Sequence, residues 1–168
     1  MTGTQASPPL RPAGDDIAVL FRDRYLEMVR LAGLLGADDP EDIAQEAFAR
    51  LMRKGPLDTD PAPYLRAIVC NLTRNRHRHL RVVAREKIPQ AGRAPSSEQA
   101  AILREDHAEV IAALAALPVR RREAIVLRFW LDLSEREIAA TMGVSPGTVK
   151  SQISRGLAAL AKVLEARA

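Results

Sequence analysis

Cysteine is nearly missing from this 168-residue chain, with Cys70 the single example. One thiol excludes an intramolecular disulfide and leaves no zinc-finger spacing. Aromatic residues are only 4% of the sequence, so aliphatic side chains must fill any core. Strand-like alternation of β-branched residues is absent, and the expected fold class is all-α. No apolar run reaches the roughly 18 residues of a membrane helix, so no membrane insertion is expected. Met1 to Gly14 carries three prolines but no charged start followed by an apolar stretch. It is therefore no signal peptide, and the expected location is the cytoplasm. There is no Gly-rich phosphate loop, no Ser/His/Asp arrangement, and no carboxylate pair beyond helix caps. Nothing supports an enzyme, and no cofactor or metal is indicated.

What is present is charge, unevenly placed. The net charge is +4, but Asp15 to Lys54 holds nine acids and six bases, and Arg66 to Arg93 holds eight bases and one acid. An acidic segment is thus followed by a basic one suited to phosphate contact.

The organising stretch is LDLSEREIAATMGVSPGTVKSQISRGLAALAKVL, from Leu131. Ser134 can cap a first helix, with Glu137 three residues on completing a capping box. Leu133, Ile138, Ala139 and Met142 give it an apolar face. Gly143 supplies the left-handed residue of a tight turn. Ser145 caps a second helix, and Pro146 suits its first position, where no amide hydrogen is needed. Val149, Ile153, Leu157, Leu160 and Leu164 form the expected buried stripe. This is the pattern of a DNA-binding helix-turn-helix, whose second helix enters the major groove near its N-terminus.

Upstream, 1–14 reads as a disordered tail. A helix is expected from Asp15 to Leu35, with Ile17, Leu20, Phe21, Tyr25, Met28, Leu31 and Leu35 buried and Gly36 ending it. Asp39-Pro40-Glu41-Asp42 opens a second helix through Lys54, placing acids at the positive end of its dipole. Ile43, Ala47, Leu51 and Met52 are expected inward, Asp42, Gln45, Glu46 and Arg50 outward, and Phe48 at the border. A third helix runs from Asp60-Pro61 to about Arg85. Residues 87–97 read as a linker. A helix begins near Glu98, carrying Ile102 and Leu103, and Pro118 closes it. Arg120 to Trp130 is one more helix. Two helical domains result, 15–86 and 98–168.

Three blocks carry a resemblance: DDPEDIAQEAFARLMRK (38–54), PYLRAIVCNLTRNRHRHLR (63–81), and LPVRRREAIVLRFWLDLSEREIAATMGVSPGTVKSQISRGLAAL (117–160). Together they resemble the extracytoplasmic-function (ECF) sigma factors of bacterial RNA polymerase. The resemblance covers nearly the whole chain from Asp15. It implies a region 2 domain at 15–86 and a region 4 helix-turn-helix domain at 98–168, with core RNA polymerase and promoter DNA as partners. An anti-sigma factor is a further partner that members often have.

Site residues follow from the resemblance. Asp42, Gln45, Glu46 and Phe48 match the helix that docks on core polymerase. Tyr64, Arg66, Asn71, Arg74, Asn75 and Arg78 match the helix beside the melted minus-ten strand, where a basic groove and a stacking ring suit single-stranded DNA. The family's usual Trp near the start of this helix is missing, with Tyr64 the nearby aromatic, and Asn75 replaces a common Asp. Ser145, Gly147 and Thr148 lie at the leading turn of the helix matched to the minus-thirty-five element, where amides and hydroxyls bind phosphate. Lys150, Ser151 and Arg155 are placed for groove or phosphate contacts. Arg120, Arg121 and Arg122 either contact flanking phosphates or solvate their helix. Free protein is expected to bind promoter poorly, because a linker leaves the spacing of two weak sites loose until polymerase fixes it.

The main alternative is a LuxR-type regulator, which shares the EIA…GTVK pattern but normally follows a receiver or ligand domain. A helical interaction module without DNA binding is another. Cys70 and His77 share a helix face, yet Cys70 beside the buried stripe reads as a small core residue rather than a ligand.

Overall fold

The computed structural model describes residues 14–55, 57–86 and 108–167. The expected tail up to residue 13, the linker 87–97 and the helix start at 98–107 lie outside the described residues. All regular structure among the described residues is helical: α1 (Gly14–Leu34), α2 (Pro40–Lys54), α3 (Ala62–Glu86), α4 (108–115), α5 (Val119–Phe129), α6 (Glu135–Met142) and α7 (Pro146–Glu165).

The first three helices pack on one another. α1 buries only its C-terminal half, through Met28, Val29, Leu31 and Ala32, with Leu35 just beyond it. Of its expected stripe, Phe21 is exposed, although its ring stacks on Tyr25 with centroids 4.5 Å apart. α1 stops because Gly36 adopts φ +88°, and the Ala37 amide turns back to the Ala32 carbonyl at 2.9 Å. That left-handed C-terminal turn suits glycine, which has no Cβ to clash.

α2 begins as its sequence requires. The Asp39 carboxylate accepts from the Asp42 amide at 3.1 Å, and Pro40 follows. Its buried face is Pro40, Ile43, Ala44, Ala47, Phe48 and Leu51, at spacings of three and four. Met52, expected inward, is exposed, because it falls one position past that stripe. α3 is capped by Asp60, whose carboxylate accepts from the Ala62 amide at 3.0 Å. Its core contribution is Leu65, Ile68, Val69, Cys70 and Thr73.

In the second half, α5 is the central helix, buried continuously from Arg122 to Leu127. It packs against both α6 and α7. Four successive apolar residues, Ala124 to Leu127, point around the whole helix, which is the signature of burial on every side. Ala113, Leu114 and Leu117 cover it from the α4 side. α7 crosses it at Gly156, where a Cβ would lie 2.9 Å from Ile125 Cγ1. That close approach turns the expected α7 stripe. Val149 is fully buried and Ile153 and Leu160 partly so, but Leu157 and Leu164 are exposed and Gly156 is buried instead.

The two halves are in contact. α6 packs along α3, and both halves contribute to one buried cluster.

Candidate nucleic-acid interface

The helix-turn-helix is built by local capping. Ser134 Oγ accepts from the Glu137 amide at 3.2 Å, while the Glu137 carboxylate accepts from the Ser134 amide at 2.8 Å. The Ser134 amide, with the Ser134 hydroxyl beside it, holds the Glu137 carboxyl below the usual range. Gly143 sits in the left-handed region at φ 66°, and Val144 turns its amide back to the Ala139 carbonyl. Ser145 then caps α7, accepting from the Thr148 amide at 3.2 Å, with Pro146 in the first turn.

Val149, fully buried, anchors the start of α7. Around it Ser145, Gly147, Thr148, Lys150 and Arg155 are exposed, and Ser151 is half-buried. The sequence-predicted residues of this helix therefore share an open edge at its N-terminal half. Partial positive charge from unpaired amides and the helix dipole favours an anion there.

The residues predicted on α3 divide into two stripes. Asn71, Asn75 and Arg78, spaced four and three apart, are exposed. Arg66 and Arg74 lie on the side that faces α5 and α6. Arg74 is engaged: its Nη2 and Nε donate to the two oxygens of Glu123 at 2.7 and 3.2 Å. Arg66 is half-buried and lies close enough to Glu137 of α6 to favour that residue's charge. Tyr64 is half-buried under the ammonium of Lys54, 5.2 Å from the ring centroid.

The acidic face of α2 needs one correction. Phe48 is 2% exposed and belongs to the core, with Phe21 edge-on to it at 4.9 Å. It continues the Ala44–Ala47 stripe and so presents no docking surface. Asp42, Gln45 and Glu46 do reach the surface, each with a partner. Arg76 donates to Asp42 at 2.9 Å, Gln45 to the Tyr25 hydroxyl at 3.4 Å, and Arg50 and Arg53 to Glu46 at 2.9 and 3.0 Å. Those two guanidiniums hold the Glu46 carboxyl below the usual range.

Two of the three arginines opening α5 fit neither expected role. Arg120 donates to the Met142 carbonyl at 2.8 Å, closing the C-terminus of α6, and to Glu123 at 3.1 Å. Arg122 is buried. It donates to Leu35 at 2.9 Å, Ala115 at 3.0 Å and Leu117 at 3.2 Å, all carbonyls. Desolvation lowers its pKa from the ordinary arginine value. Cys70 is a buried core residue whose thiol burial pushes up, and His77 bonds the Leu35 carbonyl at 3.0 Å. Sequence reasoning missed Glu123. The signal for it was the all-round apolar run beside it, which forces its neighbours inside too.

An open helix-turn-helix edge on an all-α body defines a DNA-binding transcription protein. Residues 107–160 match the family model for sigma-70, region 4. The chain is 37% identical to an RNA polymerase sigma-E factor of Streptomyces avermitilis over 153 residues, covering 87% of this chain and 83% of that protein. It is 38% identical to the sigma-E factor of Streptomyces antibioticus, covering 77% and 72%. It is 34% identical to the ECF sigma factor SigM of Mycobacterium tuberculosis, covering 90% and 80%. Its fold is similar to CnrH, solved in complex with the cytosolic domain of CnrY, at TM-score 0.69 and 22% identity, covering 94% and 92%. The sigma factor RpoE of Bartonella quintana, solved in complex with the anti-sigma factor NepR, gives TM-score 0.69 at 21% identity, covering 90% and 98%. The chain belongs to the ECF sigma factors of RNA polymerase.

It therefore acts in transcription initiation, with RNA polymerase and promoter DNA as its partners. The likeness to sigma factors extends well upstream of the helix-turn-helix, which a LuxR-type regulator shares only in its effector region. No helix among the described residues is long and apolar enough to cross a membrane.

Proposed function

We propose that the two halves divide the work of promoter recognition. The 15–86 domain binds core polymerase through Asp42, Gln45 and Glu46. It also receives the melted minus-ten strand along α3, at Asn71, Asn75 and Arg78 with Arg66, Arg74 and Tyr64 beside them. The 98–168 domain reads the minus-thirty-five duplex through α7. The observation that carries this reading is the open edge of α7, where Gly147, Thr148, Lys150 and Arg155 stand exposed around a buried Val149. A polar, basic leading turn on an anchored helix suits major-groove docking. The site of action is the cytoplasm, where RNA polymerase works. An anti-sigma factor is a further partner of this reading, since a structural neighbour was solved bound to one.

Run-off transcription with purified core polymerase on genomic fragments tests it. Wild type should start at discrete promoters. Lys150→Ala with Arg155→Ala should reduce initiation that depends on the minus-thirty-five element and leave polymerase binding intact. Asp42→Asn with Glu46→Gln should weaken polymerase binding first. No promoter-specific start with wild type, or both pairs failing at the same step, would refute the division of labour.

A further inference from the structure

We propose that Arg74, Arg122 and Glu123 form an intramolecular latch, in which Glu123 occupies the Arg74 guanidinium in place of a DNA phosphate and holds the free chain closed. The proposal rests on the promoter reading above and adds a regulatory state to it.

The seam between the halves is polar where it matters. Glu123, whose side chain is 2% exposed, is 49 residues from Arg74 in sequence, yet takes two bonds from it. Arg120 supplies a third bond at 3.1 Å from within α5. A guanidinium presents its donors as a planar fork, and a carboxylate and a phosphate both accept that fork in the same bidentate way. Glu123 and a promoter phosphate are therefore exclusive ligands for Arg74.

Arg122 is the second fastener. One guanidinium serves the ends of two helices from different halves: the Leu35 carbonyl just past α1, the Ala115 carbonyl at the last residue of α4 and the Leu117 carbonyl just past it. Carbonyls at helix C-termini lack intrahelical partners and carry partial negative charge, so a cation between them is well placed. His77 approaches the same Leu35 oxygen at 3.0 Å. Gly36 leaves the space for this approach, since a Cβ there would collide with Arg122 Nη1.

Geometry gives the latch a consequence. α3 touches α6, and α6 touches α7. Helices packed in that order put α3 and α7 about 20 Å apart, from two interaxial spacings. The minus-ten and minus-thirty-five elements are named for positions that lie about 85 Å apart along a duplex. The closed chain cannot hold both at once, so promoter engagement requires the seam to part. The charged groups recover their hydration on opening, while the apolar cluster that both halves share is exposed, so polymerase binding must supply that cost.

The test is an intramolecular distance measurement on the full chain. In a Cys70→Ala background, needed because Cys70 lies beside Arg74 and Glu123 at the seam, Met52→Cys and Lys162→Cys, both exposed, carry a donor and an acceptor dye. The free parent chain should show a dominant high-efficiency population of about nine-tenths, and core polymerase should move it to low efficiency. Arg74→Gln should produce that shift without polymerase. This change leaves Glu123 paired with Arg120, and unchanged far-ultraviolet circular dichroism verifies folding. Arg122→Met should do the same. Glu123→Gln should raise affinity for a fluorescein-labelled single-stranded DNA by about tenfold if the closed form is about nine-tenths populated. A free parent chain already at low efficiency overturns the latch, as does folded Arg74→Gln with an unchanged distance distribution. Glu123→Gln that opens but binds DNA no more tightly overturns the phosphate-surrogate role. Run-off transcription by wild type tests the promoter reading separately, and its failure would leave the distance results standing.

Discussion

Gly156→Ala should destabilise the protein, although the same change in an ordinary exposed helix would stabilise it. Alanine is favoured over glycine in a helix interior by about 1 kcal/mol. At this position the new Cβ would lie 2.9 Å from Ile125 Cγ1, 3.2 Å from Ile125 Cδ1 and 3.4 Å from the Arg121 carbonyl oxygen. The carbonyl belongs to α5 and cannot rotate away. Ile125 is 5% exposed and hemmed in by the core. Overpacking of this kind costs about 1–3 kcal/mol, so the net loss should be about 1 kcal/mol. Ile125→Ala alone should cost about 3 kcal/mol through the cavity it leaves. In the double variant the alanine methyl enters that cavity. The combined loss should then fall short of the sum of the singles by about 1 kcal/mol or more, as expected for residues in contact. Urea unfolding followed by circular dichroism measures all four corners of the cycle. A stabilised Gly156→Ala, or strictly additive losses, would show that α5 and α7 do not meet where the structure puts them.

Other outcomes follow from single sites. Lys150→Ala with Arg155→Ala should reduce the slope of log affinity against log salt for duplex binding by about 1.8, from about 0.9 per phosphate contact; an unchanged slope would mean neither side chain touches phosphate. The Glu137 carboxyl is held low by its bonds to Ser134, so its stabilisation is present above the unfolded glutamate pKa and is lost as pH falls through the depressed folded value. The melting-temperature gap between wild type and Glu137→Gln should therefore close on acidification, and a gap that widens would reverse the assigned cause. Cys70, buried with its thiol pushed up, should react with a thiol reagent only as fast as the protein opens; immediate native-state labelling would place it outside the core.

Local instructions were the most legible part of the sequence. Asp39-Pro40, Ser134 with Glu137, Gly143 and Ser145-Pro146 each act within a few residues, and each cap stands where its residue type required. The open edge of α7 was legible for the same reason, since it follows from the phase of one helix around Val149. Side-chain fates set by other elements were not. Phe48 sits at the edge of its own helix pattern, and only the arrival of α1 with Phe21 makes it core. Leu157 and Leu164 fit the α7 stripe, but the crossing at Gly156 turns burial away from them. Arg122 and Glu123 stand in a charged run that reads as solvated surface, and their partners lie 87 and 49 residues away.

The same distinction bears on why the free chain should engage promoters poorly. A loose linker would lower affinity only by diluting one site relative to the other, an effect that changes slowly with linker length. The proposed latch would act differently, because it would occupy a guanidinium proposed to meet DNA and would fix the two proposed reading helices at the wrong separation. The division of α3 into two stripes makes both states available to one helix. Asn71, Asn75 and Arg78 remain exposed while Arg66 and Arg74 face the second half. An incoming strand could meet the open stripe first, and the covered stripe would add its phosphate contacts only after Glu123 had withdrawn. Affinity for DNA would then rise with opening rather than precede it. Core polymerase can drive that opening only by binding the separated halves more tightly than the closed chain, since a partner of equal affinity for both states shifts nothing.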